Sequence, residues 1–132
     1  MYTIFGDLTD KDVLDVGTGT GVQAIQAAKN GARKVVALDI NPAAVSCAKE
    51  NVELNNVGNI VTVIESDLFD SLGREDKFDA VIANLPISDF PIEGTVESAL
   101  YDPDYRIHKR FLAEVNNYLN ENSFIVMTHI NF

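Results

Sequence analysis

The sequence predicts an α/β domain on an open, doubly wound sheet of five mainly parallel strands. Three observations predict it. Apolar runs alternate with helical patterns along the whole chain. The runs are continuous rather than alternating between apolar and polar, as strands covered on both faces require. A glycine-rich turn, Asp15-Val16-Gly17-Thr18-Gly19-Thr20-Gly21, joins the first strand to the first helix. In such a sheet a ligand lies beyond the carboxyl ends of the strands.

The strands are expected at Val13 to Val16, Val35 to Leu38, Ile60 to Ile64, Phe78 to Ala83 and Phe124 to Ile130. Between the first two, Val22, Ile25 and Ala28 with Ala24 and Ala27 recur at helical spacing, and Asn30-Gly31 supplies a left-handed stop. The second helix starts at Asn41, whose side chain suits a cap, followed by Pro42, which suits the first helical position. Val45, Ala48 and Val52 mark its buried stripe, and Asn55-Asn56-Val57-Gly58 ends it. Asp67 to Lys77 is short and polar, a turn or a brief helix. Pro86 to Asp104 holds three prolines and little periodicity, which predicts a long ordered loop of the kind that carries function. Ile107, Phe111, Leu112, Val115 and Leu119 form the stripe of a last helix. No repeat or linker interrupts the chain.

At 132 residues, 46 % hydrophobic and 23 % charged, the chain fits one domain with a core. Ten basic against twenty acidic residues leave a formal charge of −10, which disfavours unspecific attraction to a phosphate backbone. Arg106, His108, Lys109 and Arg110 form a local basic cluster, read as a solvated helix face. The single cysteine, Cys47, excludes an internal disulfide and points to a reducing compartment, so a cytoplasmic location is expected. Among Ala44, Val45 and Ala48 it reads as a small buried thiol. No apolar run approaches the roughly 20 residues that span a bilayer, and no secretory pattern opens the chain. No metal is expected: His108 and His129 lack ligand spacing, His108 reading as solvated and His129 as a structural residue of an apolar strand.

The chemistry gathers at the strand ends. Gly17, Gly19 and Gly21 let the backbone turn with almost no side chain in the way, so that a ligand can lie against main-chain amides. Their spacing departs from the dinucleotide fingerprint, since the position three beyond Gly19 is Val22. Asp39 closes the second strand, where a carboxylate accepts from a ribose diol; capping of the next helix is the competing role, already offered by Asn41. Asp67, in Glu65-Ser66-Asp67-Leu68, either accepts from an adenine amino group or is merely solvated. Asp15 ends an apolar strand, where an unpaired charge is costly, so it needs a partner: a ligand ammonium or the amides of the turn. Asn84-Leu85-Pro86-Ile87 ends the fourth strand, with Asn84 a polar group at the rim or a cap of the next segment.

Together these residues resemble the class I S-adenosylmethionine-dependent methyltransferases, over almost the whole chain. Asp15 to Gly21 looks like their first motif, Ala37-Leu38-Asp39-Ile40-Asn41-Pro42 their second, Ser66-Asp67-Leu68-Phe69 their third and Asn84-Leu85-Pro86-Ile87 their fourth. The run from Ala27 to Asn51 is similar to the small-methylase group that includes ribosomal-protein, release-factor glutamine and ribosomal-RNA guanine methyltransferases. The resemblance implies a Rossmann-like sheet, S-adenosylmethionine as cofactor, and methyl transfer to a nitrogen of a protein or RNA. It implies a binding set of Asp15, Gly17, Thr18, Gly19, Gly21, Asp39, Ile40, Asp67, Leu68 and Asn84, with the glycines around the methionine part, Asp39 on the ribose and Asp67 on the adenine. Asn84, the Leu85 carbonyl and Pro86 would clamp the acceptor nitrogen.

In the glutamine and guanine members the fourth motif is Asn-Pro-Pro followed by an aromatic. Here Leu85 stands in the middle and Ile87 replaces the aromatic, which moves the sequence toward the ribosomal-protein branch; Phe90 is a substitute for stacking. The family sheet has seven strands, so the last two are expected to be missing, through a chain truncated at its C-terminus or with the fifth-strand edge available for self-association. Two other functions compete. A nicotinamide-dependent oxidoreductase is disfavoured by the glycine spacing, and a non-catalytic nucleotide-binding or assembly module gains from the altered fourth motif.

Overall fold

The computed structural model describes residues 6–86 and 102–127. The strands are β1 (Asp12–Val16), β2 (Lys34–Asp39), β3 (Val61–Glu65), β4 (Phe78–Ala83) and β5 (Leu119–Met127), and the helices α1 (Val22–Lys29), α2 (Pro42–Leu54) and α3 (Arg106–Glu114). The sheet order is β3-β2-β1-β4-β5, and all four strand pairs are parallel. The chain therefore winds outward from β1 in one direction through β2 and β3, then in the other through β4 and β5. The reversal opens a crevice between the carboxyl ends of β1 and β4.

Two apolar layers cover the sheet. Val13, Val35, Ala37, Val61, Val63, Ala80 and Ile82 pack with α1 and α2 on one face. Leu14, Val36, Leu38, Phe78, Val81 and Ala83 meet Phe69, Phe111 and Val115 on the other. Neighbouring residues of a strand thus point into different cores, which is why the runs are apolar throughout. The Phe69 ring stacks on Phe111, centroids 5.6 Å apart, and on Tyr118 at 4.8 Å, tying the turn after β3 to the segment that follows α3.

The α2 cap forms as expected, with Asn41 Oδ1 accepting from the Ala43 amide at 2.9 Å and Val45, Ala48 and Val52 buried. Asp67 to Lys77 forms turns. Several expectations are corrected. Val22 is 65 % exposed, because Ala24, Ile25, Ala27 and Ala28 already make the buried face of this short helix. Cys47 is exposed, lying off the stripe through residues 45, 48 and 52. Leu112 is 58 % exposed and Leu119 belongs to β5, not to the last helix. The α-helix stops at Glu114, tightens to a 3-10 turn over Val115–Tyr118, and Leu119 pairs with Phe78. An irregularity then resets the register so that Ala80 pairs with Phe124, with Asn122 at φ 60° between them. Leu119 keeps helical spacing from Val115, but strand pairing overrides it. The expectations for Ile87, Phe90, Thr128, His129 and Ile130, and for most of the loop after Pro86, lie outside the described residues.

Candidate cofactor and acceptor site

A cavity of about 460 Å³ sits at the carboxyl ends of the strands. Val16, Gly17 and Gly19 come to it from β1, Leu38, Asp39 and Ile40 from β2, Ser66, Asp67 and Leu68 from the turn after β3, and Asn84, Leu85 and Pro86 from β4. Asn41, Ala44 and Ile107 complete the lining. Among the described residues, its only charged side chains are two carboxylates, Asp39 and Asp67.

The glycine turn is left-handed at all three glycines, with φ 75° at Gly17, 58° at Gly19 and 86° at Gly21. Two of them differ instructively. A Cβ on Gly17 would lie 2.4 Å from the Asn84 carbonyl oxygen, so this glycine lets the first and fourth motifs touch. A Cβ on Gly19 would meet no atom of the described residues within 4 Å, which leaves room there for a ligand. The turn's amides are largely spent inside the protein. Those of Gly17 and Thr18 both donate to the Leu38 carbonyl at 2.9 Å, that of Gly21 to the Thr18 carbonyl, and that of Gly19 to Asp39 Oδ2 at 2.9 Å. These four amides already have partners inside the protein, so what the turn adds at Gly19 is room.

Asp39 organises the rim. Besides Gly19 it accepts from the Asn41 amide through Oδ1 at 3.0 Å, while the cap of α2 itself is made by Asn41. Each oxygen keeps a further lone pair. Next to it Ile40 is 64 % exposed, an apolar side chain at the cavity wall that burial would otherwise withdraw.

Asp15, Thr18 and Gly21 do not line the cavity. Asp15 is fully buried, and its Oδ2 accepts from the Thr18 hydroxyl at 2.7 Å while Oδ1 has no hydrogen-bond partner among the described residues. Burial pushes its pKa up to about 6, against the pull of the Thr18 hydroxyl and the weaker pull of the Ala24 amide, with the Asp39 charge adding to the rise. Asp15 and Thr18 therefore brace the turn from behind. Gly21 approaches α2, where a Cβ would come within 3.2 Å of Ala48 Cβ.

The turn after β3 holds Leu68 at φ 49°, uncommon for a branched residue. Buried Ser66 maintains it, its hydroxyl donating to the Leu68 carbonyl at 2.7 Å and accepting from the Ser71 amide at 3.0 Å. Sequence reasoning passed over Ser66, although a serine at a strand end signals such local bonding. It also passed over the α3 side of the rim. His108, expected to be solvated, bonds through Nδ1 to Asp102 Oδ2 at 2.7 Å, and its side chain is only 16 % exposed. Buried Asp102 also accepts from the Ile107 and His108 amides, so it caps the start of α3. Arg110, expected on a solvated face, reaches Asp67, Asp70 and Glu114.

The chain has relatives in sequence and in fold among methyltransferases. The model of the ribosomal protein L11 methyltransferase family, PrmA, matches residues 5–90, which hold the four motifs. A Methanocaldococcus jannaschii protein, provisionally assigned as a protein N5-glutamine methyltransferase, is 42 % identical over 125 residues, covering 90 % of this chain and 61 % of its own. The chain thus spans about three fifths of that relative's length. Among solved structures, the ribosomal protein L11 methylase of Lactobacillus delbrueckii subsp. bulgaricus superposes with a TM-score of 0.71 at 27 % identity, covering 91 % of this chain and 52 % of that one. Methanocaldococcus jannaschii Trm5 in complex with adenosine superposes at 0.66 and 27 %, covering 92 % and 31 %. With the sheet order, the cavity and the motif residues in place, the chain belongs to the PrmA family of ribosomal protein L11 methyltransferases, within the class I S-adenosylmethionine-dependent methyltransferases.

Proposed function

We propose that the chain is the catalytic domain of an S-adenosylmethionine-dependent methyltransferase that acts on a nitrogen of a protein or RNA acceptor, a protein being favoured by the names of its relatives. The observation that carries the reading is the charge and shape of the cavity. Asp39 and the apolar walls of Leu38, Ile40, Leu68 and Ile107 suit a nucleoside, while both charged groups among the described lining residues are carboxylates. A sulfonium or ammonium is attracted there; a pyrophosphate is repelled and finds the glycine amides occupied. The cofactor, when bound, supplies a methyl group already activated for transfer.

What the protein contributes is position. Asp39 accepts from the ribose diol with the lone pairs that Gly19 and Asn41 leave, and Asp67 accepts from the adenine amino group. Gly19 provides room for the methionine part. The Asn84 side chain and the Leu85 carbonyl accept from the N–H groups of the acceptor, with Pro86 limiting the freedom of the strand end. Gly17 seats the Asn84 carbonyl against the cofactor turn, so the two reactants meet across one close-packed junction. Holding them in line contributes about 7 to 11 kcal/mol of barrier lowering when geometry is good. A cytoplasmic setting and pairing through the outer edge of β5 belong to this reading, and light scattering on the purified chain tests the second: a monomer refutes it.

Calorimetric titration with S-adenosylhomocysteine, NAD and ADP tests the reading. Preference for the first supports it. Preference for NAD makes the protein an oxidoreductase, and binding without methylation of a ribosomal-protein or release-factor substrate by mass spectrometry makes it a non-catalytic module.

A further inference from the structure

Asp67 is a half-exposed carboxylate on a turn, and free rotation would make it a poor reader of a base edge. Its surroundings remove that freedom. Arg110 Nη1 bonds to Asp67 Oδ1 at 2.9 Å, Nη2 binds Asp70, and Nε bonds to Glu114 Oε2 at 2.8 Å. The guanidinium fork is planar and rigid, so its bonds to Asp70 and Glu114 orient the third, which holds Asp67. Arg110 is itself held: α3 is pinned at its start by buried Asp102, and its Phe111 is fully buried against Phe69. One turn before Arg110, Ile107 of the same helix lines the cavity.

We infer that Arg110 is a specificity-determining positioning residue, which fixes Asp67 through Oδ1 so that Oδ2 reads the amino group of adenine and rejects a base carrying a carbonyl there. The inference rests on the proposed placement of the base at Asp67. A carboxylate is acceptor-only, so an amino group is bound and a carbonyl oxygen is repelled. Both effects need a fixed carboxylate, because a mobile one rotates away from the wrong base at little cost. An exposed ion pair contributes little to stability, so the network's consequence is expected in discrimination rather than in folding.

The experiment compares S-adenosylhomocysteine with S-inosylhomocysteine, whose base has a carbonyl in place of the amino group, by calorimetry on the whole chain and on Arg110→Ala, Arg110→Lys and Asp67→Asn. The affinity ratio is insensitive to the fraction of active protein, so partial unfolding does not mimic the effect. Arg110→Ala is expected to lower the adenine preference by roughly tenfold, the size of one hydrogen bond to a charged group, with Arg110→Lys in between. Equal loss of affinity for both ligands in Arg110→Ala, or an unchanged ratio, overturns the role of Arg110. A ratio unchanged in Asp67→Asn overturns the placement of the base itself, and the inference with it. A changed ratio in Asp67→Asn alone leaves the placement standing and removes only Arg110.

Discussion

Substituting alanine at Gly17 and at Gly19 separates the two things the glycine turn does. Both positions are left-handed, so each alanine carries a backbone strain of about 1 to 2 kcal/mol. At Gly19 that is the structural cost expected, because the new methyl meets no atom of the described residues within 4 Å. At Gly17 the methyl would stand 2.4 Å from the Asn84 carbonyl oxygen, which must retreat by roughly 1 Å to reach an ordinary contact. The retreat is resisted by the bond from the Asn84 amide to the Val16 carbonyl and by that from the Gly17 amide to the Leu38 carbonyl, both 2.9 Å. Overpacking of this kind costs a further 1 to 3 kcal/mol or so. Gly17→Ala is therefore expected to lose about 2 to 5 kcal/mol and Gly19→Ala about 1 to 2, from a total typically near 5 to 15 kcal/mol. Urea unfolding measures both. Calorimetry with S-adenosylhomocysteine is expected to rank them the other way, Gly19→Ala losing more than tenfold in affinity, since its methyl takes cofactor space. Equal destabilisation by the two alanines, or undiminished binding by Gly19→Ala, refutes the reasoning.

Other perturbations follow from the same geometry. Asp15→Asn removes a buried charge whose pKa is raised from 3.8 to about 6 in the fold. In that window the native state holds a proton that the unfolded chain has lost, so wild-type stability falls as pH rises. Above pH 6 the cost is complete, and the advantage of the asparagine variant should grow by up to about 3 kcal/mol between pH 4 and pH 7 in urea titrations; a pH-independent difference contradicts the buried charge. Asn84→Ala should lower turnover roughly a hundredfold while sparing cofactor affinity, and equal kcat removes it from the acceptor clamp. Asn41→Ala should cost about 1 kcal/mol through the lost α2 cap, visible as a lower thermal midpoint. Phe111→Ala should cost about 3 to 5 kcal/mol, because its ring fills the layer between α3 and Phe69.

The architecture was legible because local and global signals agree in it. Every strand of the centre is buried on both faces, so its apolar run carries no competing helical period, and Asn41-Pro42 sets the start of α2 whatever surrounds it. Disagreement begins where a residue's fate depends on a distant partner. Leu119 keeps helical spacing from Val115 but is taken by Phe78, 41 positions earlier in the chain and hydrogen-bonded through β4. Cys47 and Leu112 sit among apolar neighbours in sequence and on the open side of their helices in space. Charge in the last helix gives no hint that Arg110 spans forty residues or more to reach Asp67 and Asp70, nor that Asp102 and His108 close on one another.

The rim divides along the same line. Gly17, Gly19, Asp39, Ile40, Asp67, Leu68, Asn84, Leu85 and Pro86 were marked by strand-end position or by the family resemblance, and all line one cavity. Asp15, Thr18 and Gly21 share their motif and stand behind it, since alternation along β1 turns Asp15 to the α1 face beside Val13. Motif membership therefore combines two physical demands, groups that meet a ligand and groups that hold the turn. Asp15 meets the second at a cost in stability near neutral pH, an expense that a sequence motif cannot distinguish from binding. The distinction has a measurable form: Asp15→Asn should leave cofactor affinity within about threefold of wild type, since a neutral amide still accepts from the Thr18 hydroxyl, whereas Asp39→Asn should reduce it by more than tenfold through the ribose contact. Comparable losses in the two variants would place Asp15 among the ligand groups after all.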